Sequence, residues 1–510
     1  MFKMNYLLLN GNFVFKDKIR KGSIEIYEGK IQKILTNGNS HINFSNLKFN
    51  IIDCTNKFIL PGVIDLHTHL RDMDQSYKET IDSGTKSALY NGMTTIFTMP
   101  NTVPKLSTSK LVENYINLIK TKAWCNVGLY GGIGPNFNIN ELIKMKSLGI
   151  FGLKFYPGDT SNLFHLDWDP ILDFEKYIDG NFNEYNIDVK ELINKFNNYF
   201  FNKNNYKNII NKCKNWFILF NTLAELDLIA LIHPDIPIQK EIRKKKFYNF
   251  LNNGFSELKA HSLIYSKLHE LLSILYFHFL IMNSFNQKNK NNKILKVHFC
   301  HVSCSESVNL ITKLFSELDF IKFAIEITPH HLLLHNEIQI KNPNFAKVLP
   351  PLRNPIDMKN LQKEFRNNKI SFISTDHAPH SIEEKNSDFF SSPPGFPEFD
   401  TYILYFLNTI FNNNNELCDL VNFVKYSSSN PANWIGLNTK GIIEVGYDAD
   451  LLIVENTNSY NLNPDQFLSK SKLTPYPLYN LKLKISEVFI NGIPISINFQ
   501  KLNHEFFLKK

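Results

Sequence analysis

The chain has no C-x-x-C pair. Its six cysteines, Cys54, Cys125, Cys213, Cys300, Cys304 and Cys418, are scattered, so the sequence suggests neither a disulfide framework nor a cysteine zinc site, and a reducing compartment is the default. It also lacks a long apolar run. The longest, residues 271–282, falls short of the roughly 20 residues that span a bilayer and contains Ser273 and His278; it reads as a core helix, and the protein as cytoplasmic, with no membrane partner. Residues 1–13 are interrupted by Asn5, Asn10 and Asn12, and no signal peptide is expected there. Charge of either sign is modest. Fifty-six basic against 48 acidic residues leave +8, with no basic helical stripe, and nucleic-acid binding has no support. What is present is ordinary globular material: 510 residues, 43% hydrophobic and 20% charged, enough to bury a large core. That excludes wholesale disorder and a disulfide miniprotein, and it suits one large barrel with a smaller companion domain.

The opening runs Tyr6-Leu-Leu-Leu9, Gly22-Ser-Ile-Glu-Ile-Tyr27 and Lys30-Ile-Gln-Lys-Ile34 predict short strands joined by glycine turns. Near the other end, Gly441-Ile-Ile-Glu-Val445, Ala449-Asp-Leu-Leu-Ile-Val454 and Ile485-Ser-Glu-Val-Phe-Ile490 repeat the pattern. Residues 1–60 and 429–510 are therefore expected to form the two parts of one small β-sandwich. Between them, over 61–428, apolar strand-like runs alternate with helical patterns. They include Thr94-Thr-Ile-Phe-Thr98, Ile150-Phe-Gly-Leu-Lys-Phe155, Ile229-Ala-Leu-Ile-His233, Ile294-Leu-Lys-Val-His-Phe-Cys300, Phe323-Ala-Ile-Glu-Ile327 and Ile370-Ser-Phe-Ile-Ser374. Continuous apolar strands separated by helices predict the α/β class and a closed (β/α)8 barrel. Two Asn- and Lys-rich stretches, near 179–214 and 283–293, are expected to be surface insertions too polar to offset their ordering entropy. The run Lys244-Lys-Lys246 reads as a solvated helix surface.

Polar residues gather at the ends of these strands, the face on which such barrels carry chemistry. In Pro61-Gly-Val-Ile-Asp-Leu-His-Thr-His-Leu-Arg-Asp72, His67 and His69 are two apart on an extended segment and point the same way, so their nitrogens can converge on one metal ion. His233 closes one strand and His301 another. Strand alternation puts His301 on the face of Val297 and Leu295, which makes it the expected ligand and leaves His298 as a structural histidine. His330 and His331 read as supports. Lys154 stands inside an otherwise apolar strand, where an unpaired ammonium costs several kcal/mol. Either it meets a carboxylate or, as an amine, it takes up carbon dioxide and becomes an anionic carbamate able to bridge two metals. Asp376, in Ser374-Thr-Asp-His-Ala-Pro-His380, can bind a metal and shuttle a proton, or simply cap a helix.

Taken together these motifs resemble the amidohydrolase superfamily and, within its cyclic amidohydrolase branch, the dihydroorotases. The likeness also takes in Met99-Pro-Asn-Thr102, Cys300-His-Val-Ser303, Glu326-Ile-Thr-Pro-His-His331, Lys347-Val-Leu-Pro-Pro-Leu-Arg353 and Pro394-Gly-Phe-Pro397. The resemblance implies an enzyme with two Zn2+ per subunit. His67, His69 and Asp376 would hold one, His233 and His301 the other, with carboxylated Lys154 and a hydroxide between them. It implies that Arg71 and Asn101 grip the substrate carboxylate, that His380 is a further contact, and that Leu349 contributes through its backbone where many relatives have Asn. Asp376 is the implied proton carrier. The implied reaction is the reversible cyclisation of N-carbamoyl-L-aspartate to L-dihydroorotate in pyrimidine biosynthesis, with a homodimer or other pyrimidine-pathway enzymes as partners. Two rivals stand beside it. An allantoinase, dihydropyrimidinase or hydantoinase shares the metal centre but generally lacks the arginine that Arg71 matches; an inactive dihydroorotase-like scaffold would have lost metal ligands.

Overall fold

Eight apolar runs become the parallel strands of a barrel in the computed structural model, which describes residues 5–36, 49–159, 161, 163, 164, 166–178, 187–285, 293–412, 417–496 and 506–510. In chain order the strands are Val63–Thr68, Met93–Thr98, Asn126–Gly132, Gly152–Phe155, Ile229–Ile232, Leu295–Phe299, Ile321–Ile327 and Phe372–Ile373. Each pairs with the next, and a parallel bridge between Thr68 and His377, beside a 2.8 Å bond from the His69 N–H to the His377 carbonyl, joins the last to the first. Both faces of most of these strands are covered, which is why they read as unbroken apolar runs. Helices follow the strands and lay one stripe each against them. In Ser109–Lys122, for example, Val112, Tyr115, Ile116 and Ile119 are buried at helical spacing, and the Thr108 hydroxyl caps the first turn.

The barrel interior is packed, not hollow. Phe97 stands edge-on to Phe151 at 4.9 Å, Ile64, Leu66, Tyr130 and Leu231 join them, and Ala432 and Ile435 of the helix Asn430–Ile435 pack into the same cluster. The strand Asn126–Gly132 was not anticipated, because its three glycines dilute the apolar signal. Gly128 is there to admit the Phe97 ring, since a Cβ at that position would stand 2.1 Å from Phe97 Cε1.

The terminal segments build a second eight-stranded sheet, apart from the barrel. Phe58–Pro61 pairs with Tyr6–Val14 on one side and Leu451–Tyr460 on the other, tying the two ends of the chain into one unit with its own core, in which Tyr6 meets Phe489 at 5.5 Å. Phe58–Pro61 also leads directly, through Gly62, into the first barrel strand. Residues 441–445, expected as a strand, are not one: Gly441 and Gly446 take left-handed backbone angles (φ +87° and +89°) and turn the chain there. Residues 506–510 leave the sheet and pair with the barrel at Val127.

The expected insertion near 179–214 needs correction. Residues 179–186 lie outside the described residues, but Val189–Phe200 and Lys203–Lys212 are helices, and Leu192, Phe196, Phe200 and Ile209 are buried. Asparagine and lysine dominate the composition, yet the few apolar residues recur at helical spacing: Phe196 stacks on Phe200 at 4.1 Å, and Phe200 meets Phe279 at 5.4 Å. Of the second stretch, 286–292 lies outside the described residues, while residues 283–285 end the buried helix Lys267–Phe285, which contains the run 271–282.

Candidate metal centre

Residues 65, 67 and 69 face the same way along the first strand and its extension. The His67 N–H donates to Asp65 (3.1 Å), and the same carboxylate takes the Thr375 N–H (3.1 Å) and hydroxyl (2.6 Å), clamping the end of the first strand to the segment that carries Asp376. Asp376 Oδ1 consequently lies 2.9 Å from His69 Nε2 and 3.3 Å from His67 Nε2, and these three residues could hold one cation. Across from them, His233 Nδ1 and His301 Nε2 are 2.8 Å apart, and the His301 ring lies 5.1 Å from that of His67. Lys154 is fully buried; among the described residues its Nζ has no hydrogen-bond partner, and it stands 5.2 Å over the Tyr156 ring. The structure thus gathers the four histidines and Asp376 into one cluster, with Lys154 projecting from the strand next to that of His233.

His301 arrives by a route other than the one alternation suggests. Leu295, Val297 and Phe299 pack on the outer helices, while Cys300 belongs to the interior cluster. The face of Val297 and Leu295 is therefore the wrong one for a ligand. His301 reaches the centre because the strand has ended and its backbone is left-handed (φ +36°), as is that of Asp376 (φ +53°). Such conformations cost on the order of 1–3 kcal/mol in a non-glycine residue and concentrate where a side chain must be re-aimed. His298 lies below the cluster, its Nε2 donating to Glu326 at 2.9 Å.

Glu326, for which the sequence analysis offers no role, is central to the cluster. Its Oε1 accepts from His67 Nδ1 (2.7 Å) and from the His301 N–H (2.8 Å), and its Oε2 takes the His298 bond. Donating from Nδ1 leaves the Nε2 lone pair of His67 free for a metal. His69 does likewise, giving its Nδ1 proton to Asn101 Oδ1 at 2.5 Å. The signal for Glu326 is the one that flagged Lys154: a charged residue in an apolar strand.

The electrostatics suit a cation. Burial and the nearby Arg71 charge push His69 down to about 4, and burial and Lys154 push His233 to about 3, so both imidazoles are neutral ligands at neutral pH. Burial opposes ionisation of Asp376, but His67 and His69 outweigh it and hold its carboxyl well below the usual range. Burial likewise opposes protonation of His67, yet Glu326 and Asp376 lift it to about 10, and the negative potential that draws a proton there would draw a metal ion. Imidazole nitrogen and carboxylate oxygen are the donors zinc accepts. The orphaned Lys154 Nζ fits a lysine converted to an anionic carbamate between two cations.

A cavity of about 380 Å³ opens onto this cluster, lined also by Arg71, Asn101, Tyr156, Leu349 and Arg243. Arg71 is 6% exposed and, among the described residues, has no carboxylate within 4.0 Å; its Nε donates to the Pro379 carbonyl at 3.3 Å. His380 does not line the cavity. It stands behind Arg71, its Nδ1 accepting from Lys78 Nζ (3.2 Å) and its Nε2 donating to the Pro394 carbonyl (3.1 Å), so the guanidinium beside it at 3.4 Å keeps its outer donors.

Two family models match the chain: one described as dihydro-orotase-like over residues 56–156, the other as the amidohydrolase family over residues 281–493. Among curated proteins, a dihydroorotase of Methanosphaera stadtmanae is 29% identical over 429 residues, 84% of this chain and 82% of that protein. A dihydroorotase of Pyrococcus furiosus is 28% identical over 489 residues, 95% of this chain and 91% of its own length. Among solved structures, an L-hydantoinase (dihydropyrimidinase) from Arthrobacter aurescens superposes with a TM-score of 0.74 at 22% identity, covering 97% of this chain and 96% of that one. At that identity the likeness concerns the fold.

Proposed function

We propose, from the premise that this chain belongs to the amidohydrolase family and is a cyclic amidohydrolase, that it is a dihydroorotase interconverting N-carbamoyl-L-aspartate and L-dihydroorotate for pyrimidine synthesis. The observation that carries the choice of substrate is Arg71, a buried guanidinium that faces the cavity beside the metal ligands with no carboxylate of the described chain to neutralise it. A ring substrate bearing a carboxylate supplies that charge; the neutral rings of hydantoin or dihydrouracil do not.

His67, His69 and Asp376 would hold one zinc, His233 and His301 the other, and carboxylated Lys154 would lie between them. When bound, the metal pair supplies an acidified water and Lewis acidity at the amide carbonyl. The protein does the rest. Arg71 donates to the substrate carboxylate, and the Asn101 amide, whose oxygen is occupied by His69, has its N–H groups left for the same anion. Leu349, at the cavity wall, offers backbone groups. In the hydrolytic direction Asp376 accepts the proton of the attacking water and returns it to the departing ring nitrogen; in the biosynthetic direction it takes the proton of the ureido nitrogen as the ring closes and water leaves.

The test is a comparison of rates, on protein supplied with zinc and bicarbonate, for dihydroorotate and N-carbamoyl-L-aspartate against hydantoin, dihydrouracil and allantoin. Lys154→Ala and Asp376→Ala should each lower turnover by orders of magnitude. Faster turnover of a neutral ring than of dihydroorotate would overturn the assignment.

A further inference from the structure

The cavity holds a second guanidinium that the reaction above does not use. Arg243 lies on the helix Lys240–Asn252, in the segment between the fifth and sixth barrel strands, and it lines the same cavity as Arg71 and Asp376. Its Nη1 donates to the Tyr265 hydroxyl at 2.5 Å; the Tyr265 carbonyl in turn accepts from Arg353 Nη1 at 2.5 Å, and Arg353 is paired with Glu270 at 3.2 Å. The Arg243 head is thus held in place by a neutral group. Among the described residues its Nε, shielded from water, has no hydrogen-bond partner, and no carboxylate lies within 4.0 Å of the guanidinium. A guanidinium whose Nε is shielded and whose other donors face the cavity gains from an incoming carboxylate.

A second observation points the same way. Arg243, Tyr265, Leu349 and Pro394 form the wall shared with an adjoining cavity of about 460 Å³, whose lining includes Lys240 and Lys347 and, among the described residues, no carboxylate. A cleft of one sign leading to the site raises the local concentration of anions of the opposite sign, and more so for a dianion.

We propose that Arg243 is a specificity-determining residue for the open-chain dianion, meeting its second carboxylate on the way in while Arg71 takes the first. This rests on the dihydroorotase reading. Ring closure consumes one carboxylate and one proton and releases water, so the substrate charge falls from −2 to −1. A guanidinium that recognises the second carboxylate therefore favours loading of N-carbamoyl-L-aspartate over dihydroorotate. It acts on association more than on the chemical step.

The experiment is Arg243→Gln, with Arg243→Lys and Tyr265→Phe beside it, assayed with both substrates at low and high ionic strength. Arg243→Gln should raise KM and the dissociation constant for N-carbamoyl-L-aspartate about tenfold and those for dihydroorotate no more than about threefold, and should flatten the salt dependence of binding for the dianion; kcat/KM must fall by one common factor in the two directions, because the reaction equilibrium fixes their ratio, so kcat is nearly unchanged for ring closure and falls for ring opening. Arg243→Lys should retain most of the preference. Equal losses of affinity for the two substrates, or none for either, would overturn the proposal. Calorimetric binding of N-carbamoyl-L-aspartate separates it from its premise. Should the wild type turn over neither substrate, the dihydroorotase reading fails, while weaker binding by Arg243→Gln still supports dianion recognition and unchanged binding removes it.

Discussion

Replacing Glu326 by Gln tests whether the carboxylate beneath the histidines holds the metal centre together. Three N–H groups converge on it, from His67 Nδ1 (2.7 Å), the His301 backbone (2.8 Å) and His298 Nε2 (2.9 Å), and the residue is wholly buried. An amide has one accepting oxygen. If that oxygen keeps His67 and His301, the new NH2 group meets His298 Nε2, which must give up its proton to accept, placing a hydrogen on the Nδ1 that has no partner in the wild type. The opposite orientation sets NH2 against two donors and is worse. Turning charge-assisted bonds into neutral ones forfeits about 1 kcal/mol each, so roughly 3 kcal/mol over the three. The share at His67, on the order of 1–2 kcal/mol, weakens metal affinity about 5- to 30-fold. Burial opposes ionisation of Glu326, but His67 and His298 hold its carboxyl well below the ordinary carboxylate range. Its contribution is therefore complete above the unfolded value and is lost only as pH falls through the depressed one, so the variant's deficit should be flat across neutral and mildly acidic pH. The assay is retention of zinc against a graded chelator, with turnover measured at saturating metal. Glu326→Ala, which strands all three donors, should lose more. If Glu326→Gln held zinc and turned over like the wild type, the idea that this carboxylate orients the ligands would be wrong.

Two further outcomes concern stability. Gly128→Ala places a methyl 2.1 Å from Phe97 Cε1 and 2.3 Å from Cδ1, and that ring is wedged against Phe151 and Tyr130; a cost of about 1–3 kcal/mol should appear as a lower urea midpoint, and an unchanged midpoint would mean that the barrel interior yields more readily than its packing implies. His261, buried with its Nε2 on the Val348 carbonyl at 2.8 Å, is pushed by burial and by Lys347 from 6.5 to about 3. The unfolded chain therefore binds the extra proton between those values, and stability should rise with pH through that window. His261→Asn should reduce the slope of unfolding free energy against pH, between about 4 and 6, by one proton, close to 1.4 kcal/mol per unit; parallel wild-type and variant curves would contradict the linkage.

The barrel was readable because parallel strands buried on both faces leave unbroken apolar runs, and because each run ended on a residue out of character. Where reading failed, a particular contact explains it. In the strand Asn126–Gly132 the apolar signal at Gly128 is carried by a neighbour's side chain, since Phe97 fills the space a valine would have taken. In Val189–Phe200, composition concealed periodicity: Leu192, Phe196 and Phe200 are buried, Val189, Ile193 and Tyr199 pack beside them, and Asn, Lys and Glu fill the other positions. At residues 441–445 the alternating pattern was there, but Gly441 and Gly446 relax into the left-handed region and the segment turns instead of pairing.

The site divides along a different line. His67, His69, His233, His301 and Asp376 were found because they stand at strand ends, and the structure gathers them; the reason given for His301 was nonetheless faulty, because alternation holds only while the strand lasts and its φ of +36° lies beyond that limit. Lys154 and Glu326 show what the cost of a buried charge reveals. Both are wholly buried in apolar strands, where an ion persists only if something compensates it, so the anomaly alone implies a partner or a chemical change. Glu326 meets its compensation in three N–H groups, whereas among the described residues the Lys154 amine has no hydrogen-bond partner, and that asymmetry is the strongest argument within the fold that the lysine is held for chemistry and not for an ion pair. Arg243 carried no such mark. On a mostly exposed helix beside Lys244, Lys245 and Lys246 an arginine costs nothing, and only the folding of that helix over the cavity distinguishes it from its neighbours.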